Sequence, residues 1–462
     1  MDIKILLSDI AETTEAFDVS GLSLNTKTLT KGDLFIALQG EKNHGAEYID
    51  SAIENGCIGV LIEGRDVDCG VPIIRIDNLK LHLSGLAQNF YTKAKDVDLI
   101  AVTGTNGKTS VSHYISQLLD FLEVNSGVIG TLGISKVEKK SINTTPDIFS
   151  IYSSLDEYSS QGIKLAIIEA SSHALIQDRL EGLSFVQGIF TNLTQDHLDY
   201  HETMDNYKKA KGKLFQNGFS EKAIINRDDE NHPYFLDTTS DKDPITFGID
   251  DLDFFKNSEN GFICQLNNYV FELPLIGEFN LSNALAAFTS VKCLGYSEDQ
   301  IIPFLAKLYP PPGRMQQLEN SHIWIDYAHT PDALDNALAS LRTHYPEFKI
   351  RVLFGCGGDR DKTKRQLMGK IASENADSII LTNDNPRSES PEKIIEDILG
   401  GIKVENDVQV ILDRKHAIET AVKTLGEDEV LLIAGKGHET TQTIGDQIFQ
   451  FSDVEVALDA FI

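Results

Sequence analysis

A strand, a glycine-rich loop and a helix follow one another near residue 100, and this arrangement limits the fold more than any other feature of the chain. The run VDLIAVTG (97–104) has the continuous apolar character of a buried strand, and SVSHYISQLLDFLEV (110–124) has the apolar spacing of a helix. Between them lies GTNGKT, where backbone N–H groups of the turn and of the helix N-terminus favour a phosphate group. The segment predicts a nucleotide-phosphate site on a parallel α/β sheet.

The loop is a shorter form of the general G-x-x-x-x-G-K-[ST] pattern, because Val102 stands where that pattern has its first glycine. Lys108 is expected to offset charge on the β- and γ-phosphates, and the Thr109 hydroxyl to ligate Mg²⁺. A glycine turn with an incidental lysine is the alternative, which the flanking strand and helix disfavour. The predicted ATP-phosphate residues are Gly104, Thr105, Asn106, Gly107, Lys108, Thr109 and Ser110.

The length of 462 residues and the boundary signals along the sequence predict several domains. Short strand-like runs alternate with helical stretches up to about residue 93, a new unit begins near Val97, and the prolines at 310–312 mark a second boundary. Four strand-then-loop units follow. We expect an α/β protein with a small N-terminal domain (1–93), a central P-loop domain with a parallel sheet (94–309) and a doubly wound, Rossmann-like C-terminal domain (310–462).

The charge balance narrows the function classes. With 41 Lys and Arg against 70 Asp and Glu, the net charge is −29, which argues against nucleic-acid binding and persistent contact with an anionic membrane. Five scattered cysteines without CxxC pairs indicate neither a disulfide framework nor a zinc ribbon. The N-terminal apolar stretch is too short for a signal peptide, and we expect a cytoplasmic protein without membrane insertion.

Two further segments carry candidate metal chemistry, and a third is a run of lysines. Glu169 lies toward the end of the strand-like run KLAIIEAS (164–171) and is placed to ligate Mg²⁺ beside a P-loop; a solvated loop charge is the alternative. His197 and His201 stand four residues apart, so zinc binding and a helix-capping turn are alternatives to a magnesium role. Lys211 lies in YKKAKGK (207–213), which composition alone describes as a solvated basic helix face.

Taken together, four segments resemble the Mur ligases and their folylpolyglutamate synthase relatives over essentially the whole chain. They are GTNGKT, the N-x-x-x-D-H-x-D pattern at 192–199, the G-x-x-N-x-x-N-A pattern at 277–284 and DNPR at 384–387. The resemblance implies a monomeric ATP-dependent ligase that adds meso-2,6-diaminopimelate to UDP-N-acetylmuramoyl-L-alanyl-D-glutamate through an acyl phosphate. ATP is the implied co-substrate and Mg²⁺ the implied cofactor.

The resemblance also implies roles for individual residues in the ATP and metal sites. Lys108, Glu169, His197 and Lys211 are the expected catalytic residues. Lys211 aligns with a family lysine that CO₂ carbamylates, and the expected metal ligands are Thr109, Glu169, His197 and carbamylated Lys211. The expected contacts near adenine and in the second half of the ATP site are Asn280, Asn283, Arg314 and Asp326.

Substrate positions follow from the same resemblance. The expected UDP contacts are Leu24, Thr26, Glu41, Lys42 and Asn43. The expected muramoyl-dipeptide contacts are Thr144, Thr145, Ser171, Gln177 and Arg179. The expected amino-acid contacts are Arg360, Asp384, Asn385, Pro386, Arg387, Gly435 and Glu439.

Arg387 carries the choice of amino acid. Diaminopimelate has a second amino-carboxylate head that lysine lacks, and a guanidinium binds such a carboxylate bidentately. The alternatives are a lysine-adding ligase, which DNPR disfavours, a folylpolyglutamate synthase, which the N-terminal domain disfavours, and a catalytically inactive nucleotide-binding scaffold. Intact Lys108, Thr109 and Lys211 argue against the scaffold.

Overall fold

The structure is a computed structural model that describes residues 1–40, 43–137, 143–258, 260–319 and 321–461. The chain divides into two compact units. The first comprises 1–101, 125–186 and 218–221, and the second 102–124, 187–217 and 222–462. Among the described residues, no helix is both long and apolar enough to span a bilayer.

The N-terminal part of the first unit is a four-stranded parallel sheet with short helices. Its strands are β1 Gly21–Ser23, β2 Asp33–Ala37, β3 Gly59–Ile62 and β4 Ile73–Arg75, and its helices are α1 Ile3–Leu6, α2 Ile49–Glu54 and α3 Leu83–Phe90. The strands pair in chain order, with Leu22 opposite Leu34 and Phe35 opposite Val60. Phe35 and Val60 belong to a buried core with Ile49 and Ala52 of α2, so the sheet and α2 share one apolar layer.

The middle of the chain contributes strands and helices to both units. Its strands are β5 Asp98–Thr103, β6 Ser126–Gly130, β7 Gly133–Ile134, β8 Leu165–Glu169, β9 Phe185–Phe190, β10 Ser220–Asn226, β11 Ile245–Phe247, β12 Phe254–Ser258, β13 Gly261–Leu266 and β14 Tyr269–Leu273. Its helices are α4 Lys108–Phe121, α5 Ile148–Ser160, α6 Ser172–Ile176, α7 Leu198–His201, α8 Met204–Gly212, α9 His232–Thr238, α10 Glu278–Cys293 and α11 Glu298–Leu305. In the first unit β6 pairs with β8 in parallel; in the second, β10 pairs with β11 in parallel and β12–β14 form an antiparallel meander.

A six-stranded sheet and a hairpin make up the C-terminal part of the second unit. The strands are β15 Gln316–Gln317, β16 Ile323–Asp326, β17 Lys349–Phe354, β18 Ser378–Leu381, β19 Asp407–Val410, β20 Glu429–Ala434, β21 Thr441–Ile444 and β22 Gln447–Gln450. The helices are α12 Pro331–His344, α13 Thr363–Asn375, α14 Pro391–Leu399, α15 Arg414–Lys423 and α16 Asp453–Phe461. The sheet order is β15-β16-β20-β17-β18-β19, and all pairs except β15–β16 are parallel.

Helices cover both faces of this six-stranded sheet. Val352 of β17 packs in a core with residues of α12, α13 and α14, whereas Leu353, the next residue, packs with residues of α15 and α16. Successive side chains of a strand point to opposite faces, so a strand buried on both faces must be continuously apolar. The doubly wound arrangement predicted for this region is therefore confirmed, as is a mixed α/β fold with parallel sheets. The division into domains at 93 and 309 stays a prediction.

Candidate active site

The loop after β5 is shaped by two glycines that a side chain would disrupt. Gly104 has φ +155° and Gly107 has φ +85°. A Cβ on Gly104 would collide with the Thr191 side chain, and a Cβ on Gly107 would lie 2.5 Å from Oδ1 of Asn283. Helix α4 begins directly at Lys108, so its N-terminal N–H groups face the loop, as an anion site requires.

The end of β9 holds this loop in place. Thr191 N donates to Thr103 O at 3.0 Å, and its hydroxyl donates to Asn106 O at 2.6 Å. The Asn192 side chain accepts from Asn106 N at 2.9 Å, and its backbone O accepts from Thr105 N at 2.9 Å. Sequence reasoning assigned no individual role to Thr191 or Asn192, although Asn192 is the first residue of the N-x-x-x-D-H-x-D pattern.

The side chain of Lys108 turns back onto the phosphate loop that precedes it. Its Nζ donates to Gly104 O at 2.8 Å and to Thr105 O at 2.9 Å. The adjacent Thr109 hydroxyl is buried and accepts from Arg314 Nη2 at 3.3 Å. The structure therefore brings Arg314, a residue more than two hundred positions away, to the predicted phosphate site.

A cavity of about 390 Å³ opens beside the loop. The predicted residues that line it are Asn106, Gly107, Ser110, Asn283, Arg314 and Asp326. Asp332, whose segment also resembles the family's C-terminal contribution to the ATP site, lines it too, as do Asn226, Asp228 and Asp229, which were missed. Asn280 is not part of the lining; it is buried behind Asn283, whose Nδ2 donates to its Oδ1 at 3.3 Å.

Asp326 sits at the end of β16 with Arg314 nearby. Its Oδ2 accepts from Met315 N at 2.6 Å, and burial raises the pKa of the carboxyl group to about 6, although the charge of Arg314 acts in the opposite direction. The Arg314 guanidinium lies 4.5 Å from the centre of the Tyr327 ring. Cation–π contact of this kind holds the guanidinium plane in one orientation.

Lys211 is almost completely buried and faces the phosphate loop. Its Nζ donates to Gly104 O at 2.7 Å and lies 4.3 Å from the centre of the Tyr207 ring. Burial lowers the pKa of Lys211 well below its usual value, and the charge of Lys108 lowers it further. The solvated basic face suggested by composition is therefore wrong for this residue, and its surroundings favour the uncharged amine over the ammonium form.

His197 precedes α7 with a left-handed backbone, φ +54°. Its Nε2 lies 3.4 Å from Oδ2 of Asp196, and its ring stands edge-on to Tyr207 at 6.2 Å. Burial raises the pKa of Asp196, but the nearby charges of His197 and His329 outweigh it and the net shift is downward. Within the described part of the chain no three His, Cys, Asp or Glu side chains cluster as a metal site.

The first unit contains Glu169 and the predicted dipeptide contacts. Glu169 is fully buried at the end of β8, and Thr131 donates to it from N at 3.0 Å and from Oγ1 at 2.8 Å. The Thr145 hydroxyl donates to Glu169 O at 2.6 Å and contacts Ser171 Oγ at 3.0 Å. Arg179 Nη1 donates to Thr145 O at 2.7 Å.

The remaining dipeptide contacts join the same group. Gln177 Oε1 accepts from Arg179 Nε at 3.0 Å, and the Thr144 hydroxyl accepts from Thr131 Oγ1 at 3.2 Å. All five predicted dipeptide contacts therefore lie in one hydrogen-bonded group around the end of β8.

The predicted UDP contacts are less concentrated. A cavity of about 570 Å³ in the first unit is lined by residues that include Ser23, Asn25 and Asn143, whereas Leu24 and Thr26 do not line it. Asn43 Nδ2 donates to Tyr48 OH at 2.9 Å. Glu41 and Lys42 lie outside the described residues.

The predicted amino-acid contacts collect at the carboxyl ends of three neighbouring strands, β20, β17 and β18. Asn385 Nδ2 donates to Glu439 Oε2 at 2.9 Å. Gly435 has φ +112°, and a Cβ there would lie 2.8 Å from Oδ2 of Asp384. Ligands bind at this edge of doubly wound sheets because the strand-end loops converge there.

Arg387 is held at both its backbone and its guanidinium. Its backbone has φ +50°, and its N donates to Thr443 O at 3.2 Å. Nη1 donates to Gly358 O at 2.7 Å. A Cβ on Gly357 would lie 3.0 Å from Nη1 of Arg387 and 3.7 Å from Cγ of Arg360, so both arginine side chains pass the same glycine.

Pro386 lies directly before Arg387 in the same loop. A Cβ on Gly358 would collide with Pro386 O. The close approach of the two strand-end loops therefore depends on the glycine pair at 357 and 358.

Comparison with known proteins agrees with this arrangement. The sequence profile of the Mur ligase middle domain matches residues 102–291, that of the Mur ligase glutamate ligase domain matches 313–437, and that of the Mur ligase family catalytic domain matches 18–91. The chain belongs to the Mur ligase family. It is an ATP-dependent ligase that forms an amide bond, which confirms the class predicted from the sequence.

Individual relatives cover nearly the whole chain. A UDP-N-acetylmuramoyl-L-alanyl-D-glutamate–2,6-diaminopimelate ligase of Coxiella burnetii is 40% identical over 469 residues, 96% of this chain and 95% of the relative. The enzyme of the same name from Haemophilus influenzae (strain PittGG) is 37% identical over 480 residues, 98% of each chain. A solved structure of a protein with that name is 31% identical, with a TM-score of 0.66, covering 100% of this chain and 98% of the other.

Proposed function

We propose that this chain adds meso-2,6-diaminopimelate to UDP-N-acetylmuramoyl-L-alanyl-D-glutamate in the cytoplasm, as a step in peptidoglycan precursor synthesis. The observation that carries the proposal is the placement of Arg387 beside Arg360, with Asn385 and Glu439 at the adjacent strand end. Two guanidinium groups and a carboxylate suit an acceptor that ends in both a carboxylate and an ammonium group. The names of the relatives describe this same reaction.

Each predicted domain is assigned its own part in substrate binding. Residues 1–93 bind the uridine diphosphate end of the precursor, residues 94–309 bind ATP and the dipeptide, and residues 310–462 bind the amino acid. The cavity lined by Asn106, Asn283 and Arg314 supports the placement of ATP. We propose that the enzyme acts as a monomer, which light scattering of the purified protein would test.

The first chemical step transfers the γ-phosphoryl group of ATP to the side-chain carboxylate of the D-glutamyl residue. A bond forms between a carboxylate oxygen and the γ-phosphorus, the bond to the β,γ-bridging oxygen breaks, and ADP leaves. Lys108 and the N-terminus of α4 offset the charge that develops on the phosphoryl oxygens. Arg314, which donates to Thr109, adds a second positive charge on the same side.

The second step joins the amino acid to the activated carboxyl group. The amine of diaminopimelate attacks the acyl carbon, and the tetrahedral intermediate releases inorganic phosphate and gives up a proton. Arg387 and Glu439 hold the far end of the amino acid, so that its amine is presented in one position. Positioning of this kind contributes much of the rate in reactions between two bound substrates.

The expected metal ligands carry donor atoms suited to holding Mg²⁺. Thr109 supplies a hydroxyl oxygen and Glu169 a carboxylate, and His197 completes the proposed set. The buried Lys211 side chain, whose pKa is lowered by its surroundings, is suited to react with CO₂ to form a carbamate, which would add a further oxygen donor. A magnesium ion bound there would neutralise phosphate charge.

The reaction itself is the first test. Purified protein is incubated with ATP, Mg²⁺ and the UDP-muramoyl dipeptide, with meso-diaminopimelate, L-lysine or L-glutamate as the third substrate. Phosphate release is followed together with the mass of the UDP-linked product. We expect a tripeptide product only with diaminopimelate. A lysine product would overturn the acceptor assignment, and ATP binding without any product would favour an inactive scaffold.

Carbamylation of Lys211 has a separate test. Protein equilibrated with ¹³C-labelled bicarbonate is expected to show one carbamate carbon resonance in the NMR spectrum, and that resonance is expected to be absent from Lys211→Arg. A resonance that persists in the variant would assign the carbamate to another lysine.

A further inference from the structure

Lys436 is a completely buried lysine that lies directly behind the proposed amino-acid contacts. Its Nζ donates to Glu439 Oε2 at 2.7 Å and to Asn385 Oδ1 at 3.3 Å. Asn385 also donates from Nδ2 to the same Oε2 at 2.9 Å. The three side chains therefore form a closed triangle of hydrogen bonds, with the ammonium group on its buried side.

The hydrogen-bonded triangle fixes the orientation of the Glu439 and Asn385 side chains. Both donors bind Oε2 of Glu439, so the other oxygen, Oε1, is the one that an incoming ammonium group would meet. Glu439 is about 30% exposed, whereas Lys436 is 0% exposed. The carboxylate thus has one face toward the protein interior and one toward the strand-end opening.

Asn385 is oriented by the same contacts. Its Oδ1 accepts from Lys436 and also from Thr443 N at 2.9 Å. An amide whose oxygen faces two donors and whose nitrogen faces a carboxylate has its flip state decided by the network. Removal of the ammonium group would leave that oxygen with one fewer donor and would remove one of the two donors that bind Oε2 of Glu439.

The backbone around Lys436 is as constrained as its side chain. Gly435 has φ +112° and Gly437 has φ +53°, both in the left-handed half of conformational space. A Cβ on Gly437 would lie 2.7 Å from Gly313 O and 2.8 Å from Cβ of Tyr327. The backbone position from which the Lys436 side chain extends into the interior, directly after β20, is therefore fixed.

A buried ion pair is a poor source of stability, because desolvation of two charges offsets much of their attraction. The location of this pair at a strand end, in contact with two of the proposed amino-acid contacts, is explained better by a role in positioning. No role for this residue follows from the sequence alone, where Lys436 is one of many lysines.

We propose that Lys436 is a positioning residue for the amino-acid substrate: it orients Glu439 and Asn385 so that they bind the ammonium and carboxylate groups at the far end of that substrate. The inference rests on the proposed function, because it assumes that this pocket receives the amino acid. Lys436 acts through its two neighbours and does not itself contact the reacting atoms.

The test is steady-state kinetics of Lys436→Met, Lys436→Arg, Glu439→Gln and the double variant Lys436→Met with Glu439→Gln. We expect Lys436→Met to raise the KM for diaminopimelate about tenfold or more, while the KM for ATP stays within about twofold and kcat within about threefold. Lys436→Arg, which keeps the positive charge, is expected to recover part of the loss. The double variant is expected to be no worse than the poorer single variant, because both changes break the same network.

Lys415→Met is the matched control. Lys415 is also in the second unit, but it is exposed, and its ion pair with Glu419 is long at 3.9 Å; its replacement is expected to leave both KM values unchanged. Thermal melting with and without ADP shows whether each variant is folded. If Lys436→Met is not folded, Lys436→Gln takes its place, with the same expected rise in KM.

Three outcomes overturn the inference: a KM for diaminopimelate within twofold of the parent enzyme, equal rises in the KM for ATP and for diaminopimelate, or multiplying effects in the double variant. The proposed function fails separately, when the parent enzyme itself makes no product with diaminopimelate. The two failures are therefore distinguishable in one set of assays.

Discussion

Arg365 donates to both carboxylate oxygens of Glu389, at 2.8 Å to Oε1 and 3.1 Å to Oε2. This pair joins two strand-end loops, because Arg365 Nη2 also donates to Gly357 O at 3.3 Å and Glu389 Oε1 accepts from Asp359 N at 2.6 Å. The first loop carries Arg360 and the second carries Arg387. The relative position of Arg360 and Arg387 therefore depends on the bidentate ion pair between Arg365 and Glu389.

Arg365→Met is expected to destabilise the fold. Arg365 is almost fully buried and also donates to Asp397 Oδ2 at 2.9 Å, so its loss leaves two carboxylates without their main partner. Breaking a buried pair on one side costs about 3 kcal/mol or more. Urea denaturation of the variant and the parent protein measures the difference in the free energy of unfolding.

Arg342→Met is the control for this loss. Arg342 pairs with Asp377 at 2.6 Å, but both side chains are more than 40% exposed, and exposed pairs contribute about 1 kcal/mol or less. Equal losses in the two variants would contradict a special role for the Arg365–Glu389 pair.

The same pair predicts how stability depends on pH. Hydrogen bonding from Arg365 lowers the pKa of Glu389 from 4.5 to about 2. Because the folded-state pKa lies below the unfolded value, the pair stabilises the fold above about pH 4.5, and the contribution is lost as the pH falls from 4.5 toward 2. The difference in unfolding free energy between the parent and Glu389→Gln is expected to be constant from pH 5 to pH 7 and to shrink below pH 4.5. A difference that grows in acid would contradict this assignment.

Arg387→Lys is expected to weaken discrimination between amino acids. A lysine keeps the charge but loses the planar fork that binds a carboxylate at two points. Loss of one hydrogen bond between charged groups costs about 1.5–3 kcal/mol, which corresponds to a rise of about ten- to a hundredfold in the KM for diaminopimelate. Binding of L-lysine, which lacks the second carboxylate, is measured as inhibition of diaminopimelate addition and is expected to change little. An equal effect on both amino acids would place Arg387 outside the specificity pocket.

Gly107→Ala is expected to raise the KM for ATP about tenfold or more. The new Cβ would lie 2.5 Å from Oδ1 of Asn283 and would push that side chain toward the cavity. Gly162→Ala is the matched control: Gly162 also has a positive φ, +79°, but a Cβ there meets no atom within 4 Å among the described residues. Both variants incur the backbone cost of about 1 kcal/mol, so only the first should change nucleotide kinetics. Similar KM values for ATP in the two variants would contradict the steric argument.

Several parts of the site were predictable from local sequence. The phosphate loop was predictable because a strand, a glycine turn and a helix in immediate succession place backbone N–H groups around one point. This holds independently of the rest of the chain. The polar strand-end residues Asp384, Asn385 and Glu439 were predictable as a group, because parallel strands bring their carboxyl ends to one edge. Family resemblance supplied their roles and identified Lys211, whose surroundings composition described wrongly.

Other features depend on contacts between distant parts of the chain, which no local pattern encodes. Arg314 meets Thr109 across 205 positions, and Asn106 donates to Asp332 across 226. Arg365, Glu389 and Lys436 read as ordinary charged residues in the sequence. Their burial and their partners decide what they do, because the energy of a charge depends on how much water it has lost and on which opposite charge replaces that water. The sequence alone thus determined the family, the phosphate loop and the strand-end chemistry, and the tertiary structure decided which charges are buried and which loops they hold together.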